Sequence, residues 1–148
     1  MIDRKYIFRH ESDFTHYTAD AFVVRCFDNR FWPAFHRYIK SLGLKHIDVE
    51  SVAGGAKIFS SPEKAGDRGF MLRELEKSIH LHHTKKVILF THQDCGAYGG
   101  SARFSGDQEE KNFHTRELRG AEEIVSKEFP NLVIETYFID KEGIVNVH

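Results

Sequence analysis

An α/β fold built on an open, mainly parallel sheet of four to five strands with flanking helices is what this sequence predicts. Short apolar runs alternate with longer segments of helical periodicity, in the order strand, helix, strand, helix, strand, helix, strand. The run Lys86 to Thr91 (KVILFT) is apolar at consecutive positions, as a strand covered on both faces must be. If the sheet winds outward in both directions from its first strand, right-handed crossovers place the third strand beside the first.

The elements follow in order. Ala21 to Arg25 (AFVVR) reads as a buried strand. Phe31 to Leu42 places Phe31, Phe35, Ile39 and Leu42 at helical spacing, with Pro33 in the first turn and Gly43 as the stop. His46 to Val52 is the second strand, and Gly54-Gly55 after it marks a tight loop. Phe70 to His82 is a helix with Leu72, Leu75 and Ile79 on one face. After the Lys86–Thr91 strand, Gly99 to Gly106 reads as loop. Gln108 to Phe129 is the longest helix, apolar at Phe113, Leu118, Ala121, Val125 and Phe129 and ended by Pro130. Its charged stretch from Asp107 to Arg119 reads as a solvated face. Leu132 to Ile139 is a further strand, and Gly143 turns the chain into Ile144–Val147.

The 148 residues suffice for one domain, 1–148, whose first twenty residues form an extension before the sheet. Lys and Arg total 21 against 22 for Asp and Glu, so the chain has no field to hold a phosphate backbone, and no nucleic-acid partner is expected. The opening MIDRKYIFRHESD is charged throughout and cannot serve as the apolar part of a signal peptide. The longest purely apolar runs, Ala21–Val24 and Val87–Phe90, are far short of a bilayer span, so no membrane partner is expected and the cytoplasm is the expected location. Two cysteines 69 positions apart are a poor basis for a disulfide framework and read as buried residues or ligands. Ten histidines raise the prospect of a metal site.

Two segments fall just past strand C-termini, where open α/β sheets place their sites. Cys26-Phe27-Asp28-Asn29-Arg30 follows the first strand, and His92-Gln93-Asp94-Cys95-Gly96 follows the third. If those strands are neighbours, Cys26, His92 and Cys95 converge. Two thiolates and an imidazole are a natural ligand set for zinc, and three protein ligands leave the fourth position that a catalytic zinc needs. Taken singly, Cys26 also reads as a small buried hydrophobe and His92 as a hydrogen-bonded structural residue. His80, His82 and His83 cluster at a helix end, where imidazoles favour the C-terminal dipole or could form a second metal site. Phe31, Trp32 and Phe35 read as core, a pocket lining or a subunit contact.

Cys-x-Asp-x-Arg after one strand and His-x-x-Cys-Gly after a later one resemble the paired motif of the β-class carbonic anhydrases. Ala53-Gly54-Gly55 is similar to the family's loop after strand two, Leu75-Glu76-Lys77-Ser78-Ile79 to the helix before its ligand strand, and Tyr137–Asp140 with Gly143–Val145 to its closing hairpin. The resemblance spans roughly residues 21–148 and implies a β-carbonic anhydrase-like fold. It implies one Zn2+ per chain on Cys26, His92 and Cys95, with Asp28 and Arg30 as a catalytic dyad. In that dyad Arg30 holds the Asp28 carboxylate off the metal, and Asp28 otherwise becomes a fourth ligand. It implies a backbone N–H at Gly96 facing substrate oxygen, reversible hydration of CO2 to bicarbonate by a metal-bound hydroxide, and a homodimer or higher homo-oligomer. Thr18-Ala19-Asp20-Ala21 stands where the family carries a Gln, and Ser51-Val52 where it has an Arg-Asn pair. Two alternatives accompany these differences: a non-enzymatic zinc-binding homologue, and a hydrolase of another small electrophile such as carbonyl sulfide or carbon disulfide.

Overall fold

Four consecutive apolar side chains, Val87, Ile88, Leu89 and Phe90, are buried at 0–1% exposure, and the strand that carries them lies at the centre of the sheet. The computed structural model describes residues 5–147. Of the expected N-terminal extension, residues 1–4 lie outside the described residues, as does His148. Strands β1 (Ala21–Arg25), β2 (Ile47–Ser51), β3 (Lys86–His92), β4 (Val133–Ile139) and β5 (Ile144–Asn146) form one sheet in the order β2-β1-β3-β4-β5. The first four are parallel, and β5 returns antiparallel to β4. This is the mainly parallel, mixed open sheet anticipated from the alternation of elements.

Helices cover both faces. On one, Phe35 and Ile39 of α1 (Trp32–Ser41) pack on Ala21, Val23, Ile88 and Phe90. On the other, Phe59 of α2 (Lys57–Ser60), Met71 and Leu75 of α3 (Ala65–His82), and Leu118, Ala121 and Val125 of α4 (Asp107–Glu128) pack on Phe22, Val24, Val87 and Leu89. Phe35 is buried and Phe31 packs against the same cluster, whereas Trp32 is half exposed. The chain runs outward from β1 to β2, then crosses back to lay β3 on the other side of β1. Phe22, Val23 and Val24 pair with Val87, Ile88 and Leu89, so β1 and β3 end side by side at the switch point.

Three expectations change. The helix expected from Phe70 begins at Ala65, because the Asp67 carboxylate accepts the Lys64 N–H and starts it despite Gly66 and Gly69. The segment after Gly55 forms the short α2. The charged N-terminal half of α4 is not wholly solvated: Glu110 and His114 point inward and are buried. His82 is engaged by Asp48 (Nδ1 to Oδ2, 2.7 Å), and His80 and His83 are exposed, so among the described residues this trio does not form a metal cluster. Residues 5–20 contain no helix or strand. Tyr17 ties them down by donating to Asp48 (2.8 Å), stacking on His46 and packing at a tilt against His82. No described helix is long and apolar enough to cross a membrane.

His114 sits among the rings of Tyr98, Phe113 and Phe138 with neither ring nitrogen hydrogen-bonded. Burial pushes its pKa from 6.5 down to about 4, so the folded protein holds it neutral. Between those values the unfolded chain binds a proton that the folded one refuses, and stability falls as pH drops through the window. The variant His114→Leu should therefore lose less stability than wild type between about pH 7.5 and 5. The difference should be on the order of 1–2 kcal/mol in urea denaturation.

Candidate metal centre

The centre is assembled from the two strand ends. Arg25, the last residue of β1, is buried, and its guanidinium donates to the carbonyls of Cys26 (Nε, 2.8 Å) and Asp28 (Nη2, 3.1 Å). The same group lies over the rings of Trp32 and Phe35 at 4.8 and 4.6 Å, which anchors the Cys26–Asp28 turn to α1. Across the switch point, His92 ends β3 with its ring against Phe31. Its Nδ1 lies 2.7 Å from the carbonyl of Gln93 and can only donate there. That leaves the ring's second nitrogen, Nε2, for the centre, where it is buried without a hydrogen-bond partner. Asp94 then takes a left-handed backbone conformation (φ 54°) that turns the chain and returns Cys95 to the site.

The donor atoms of Cys26, His92 and Cys95 all lie within 4.8 Å of one another, and all three residues are buried. Both cysteines are free thiols. Cys26 is pushed down to about 4 chiefly because the Cys95 thiol donates to it, aided by the backbone N–H groups of Asp28 and Gly54. Cys95 carries the shared proton and is pushed up accordingly. Two sulfurs that share one proton beside an imidazole are a donor set that could hold a metal ion, and a cation entering it would displace that proton.

The loop that closes the site is set by glycine. Gly54 N–H points at Cys26 Sγ (3.4 Å). Gly55 has φ 57°, and a Cβ there would stand 2.3 Å from the Phe90 carbonyl, so no side chain fits. Of the three clustered residues, Cys26 borders a cleft of about 690 Å³ whose walls include Phe27, Asp28, Ala53, Glu63, Gly96 and Ala97.

Asp28 faces both the cluster and Arg30. Its Oδ2 is 3.8 Å from His92 Nε2, and Arg30 grips it with Nη2 at 2.7 Å and Nε at 3.1 and 3.2 Å. The Arg30 side chain holds the Asp28 carboxyl down to about 2. All six residues singled out from the sequence thus border one site: Cys26, Asp28, Arg30, His92, Cys95 and Gly96. Three others were not singled out. Arg25 is signalled only by a charge ending an apolar strand. Asp94 lies inside the His-x-x-Cys motif, and Glu110 is hidden in the charged start of α4.

The sequence pattern of the family described as "Putative carbonic anhydrase" matches residues 17–148. The chain belongs to this family. A curated relative, an uncharacterized protein of Rickettsia bellii (strain RML369-C), is 29% identical over 132 residues, covering 86% of this chain and 80% of that one. The fold is similar to that of a carbonic anhydrase of Streptococcus mutans (TM-score 0.63, 15% identity, 94% of this chain and 88% of that one). It is likewise similar to a β-carbonic anhydrase of Trichomonas vaginalis (TM-score 0.63, 14% identity, 93% and 87%). At these identities the structural likeness is one of fold.

If the buried Nε2 lone pair and the two sulfurs are the donors, each is indispensable. Purified His92→Ala and Cys95→Ala proteins, titrated with zinc against a chromophoric chelator, should bind at least about 100-fold more weakly than wild type. Wild-type affinity in either variant would remove that residue from the ligand set.

Proposed function

We propose that this member of the family is a zinc-dependent carbonic anhydrase that interconverts CO2 and bicarbonate, with one zinc per chain held by Cys26, His92 and Cys95. The observation that carries this reading is the Asp28–Arg30 pair beside the three ligand atoms. A purely structural zinc site would complete its coordination with a fourth Cys or His, whereas here a carboxylate held by a guanidinium borders an open cleft.

When bound, zinc supplies a water acidified enough to deliver hydroxide near neutral pH. The chain's own residues do the rest. Cys26 and Cys95, as thiolates, offset the ion's charge, so acidification is weaker than with three imidazoles and activity should rise on the alkaline side. Asp28, ionised because Arg30 holds it down to about 2, accepts a hydrogen bond at its Oδ2 and orients the donor toward the cleft. Arg30 keeps that carboxylate from coordinating the metal through a charge-assisted, two-nitrogen grip. Phe27, Ala53 and Ala97 offer apolar walls to a small neutral substrate, and the backbone N–H of Gly96 faces its oxygen.

We further take residues 1–148 as one zinc-binding domain and the cytoplasm, whose reducing conditions keep both thiols free, as its compartment. Tyr6, Ile7, Phe8 and Phe14 are largely exposed, an apolar surface that a homodimer or higher homo-oligomer would cover.

Stopped-flow CO2 hydration between about pH 6.5 and 9, on samples of quantified zinc content, tests the reading. The expected outcome is a zinc-dependent rate that climbs with pH without a step from Asp28, which is ionised throughout. Arg30→Ala should keep its zinc and lose roughly tenfold or more in rate as Asp28 turns to the metal. One zinc per chain with no rate above buffer would overturn CO2 hydration and direct the assay to carbonyl sulfide, carbon disulfide or a binding role.

A further inference from the structure

Asp94 is the residue of the His-x-x-Cys turn that the chemistry above leaves unused, yet each of its polar groups is engaged. Its N–H donates to Glu110 Oε1 (2.7 Å), and its Oδ1 accepts the Ser101 N–H (2.9 Å). Its Oδ2 pairs with Arg30 Nη1 (2.9 Å), and its carbonyl accepts Arg30 Nη2 (3.0 Å). Glu110 is only 1% exposed, although it lies in a run of charged residues at the start of α4. Its second oxygen accepts the Ser101 hydroxyl at 2.7 Å, so one buried carboxylate ties together the ligand turn and the loop after it. At Gly100 (φ 76°) a Cβ would stand 3.1 Å from Asp94 Oδ1, so the neighbouring backbone also closes on this side chain.

The Arg30 side chain is 57% exposed. A long guanidinium in water, held by one carboxylate, loses most of its attraction to screening and side-chain entropy. Here it is gripped from both sides: Asp28 takes Nε and Nη2, and Asp94 takes Nη1 and, through its carbonyl, Nη2. Asp94 does so in the left-handed conformation (φ 54°), which residues other than glycine, asparagine and aspartate rarely adopt, and its N–H bond to Glu110 holds it there.

We propose that Asp94 and Glu110 are positioning residues for the Asp28–Arg30 pair: Glu110 fixes the left-handed turn at Asp94, and Asp94 anchors Arg30 where it can keep Asp28 off the metal. The proposal rests on the zinc reading above and deepens it, since control of the fourth metal position is shared by two strand-end loops and α4. A mere structural tie between α4 and the turn would not require the Asp94 carboxylate to face Arg30.

The test uses cobalt(II) in place of zinc, because its visible spectrum reads the ligand set directly and independently of turnover. Asn tolerates the left-handed conformation and keeps an acceptor for Ser101, so Asp94→Asn should fold and bind one cobalt per chain. Its spectrum at about pH 7.5 should shift as Asp28 joins the metal, and the shift should vanish when Asp94→Asn is made in an Asp28→Asn background. Glu110→Gln, which keeps an oxygen acceptor for Asp94 N–H, should shift the spectrum less in the same direction. CO2 hydration by zinc-loaded Asp94→Asn should fall by roughly tenfold. An unchanged Asp94→Asn spectrum would overturn the proposal, and so would a shift that survives in the Asp28→Asn background. Wild-type protein that takes up no cobalt would instead overturn the metal reading itself.

Discussion

The pairing of Phe22–Val24 with Val87–Leu89 sets the distance between Cys26, just past the end of β1, and His92, the last residue of β3, and the rest of the centre is built on that distance. The pairing is secured by apolar burial on both sides of the two strands, with Val23, Ile88 and Phe90 under α1 and Val24, Val87 and Leu89 under α2, α3 and α4. Gly55 adds a steric condition, since its backbone lies against the Phe90 carbonyl and the Cys26 backbone and admits no side chain. A shift of β1 against β3 by one residue would turn Val23 and Val24 to the wrong faces. The register that builds the core is therefore the one that brings the donor atoms together.

Charge is arranged around this frame in a consistent way. Arg25 brings a buried cation to the Cys26–Asp28 turn, satisfied by two carbonyls and two aromatic faces. Arg30 lies outside it, between Asp28 and Asp94. The two arginines differ in role because they differ in solvation: the buried one fixes backbone, and the exposed one divides its donors between carboxylates. His114 shows the reverse case, an imidazole kept neutral because no partner or water-facing edge compensates its burial.

Much of this was legible in the sequence. AFVVR and KVILFT are strands by composition alone, and the motif residues lie just past them, so the switch-point geometry followed from topology. The parts that were not legible depend on contacts distant in sequence. Lys57–Ser60 is too short for a helical period to register, and α2 exists because Phe59 enters the core. Gly66 and Gly69 weaken the local preference for helix at the start of α3, yet Met71 and Leu75 behind them are fully buried. Glu110 looks like any other charge in DQEEK, because what distinguishes it is the amide of Asp94, sixteen residues earlier in the chain. Burial of a charged residue by a specific donor leaves no periodic trace.

Tyr17 has a consequence for handling the protein. Its hydroxyl is fastened to Asp48, which pairs with Phe22 at the beginning of β1, while Cys26 lies past the other end of that strand. The residues before Tyr17 thus join the body of the molecule at the edge of the sheet remote from the strand ends that bear the sulfurs. A purification tag or fluorescent fusion is best joined ahead of Tyr6, which keeps it away from the sulfurs and leaves the apolar side chains of Tyr6 to Phe14 in place.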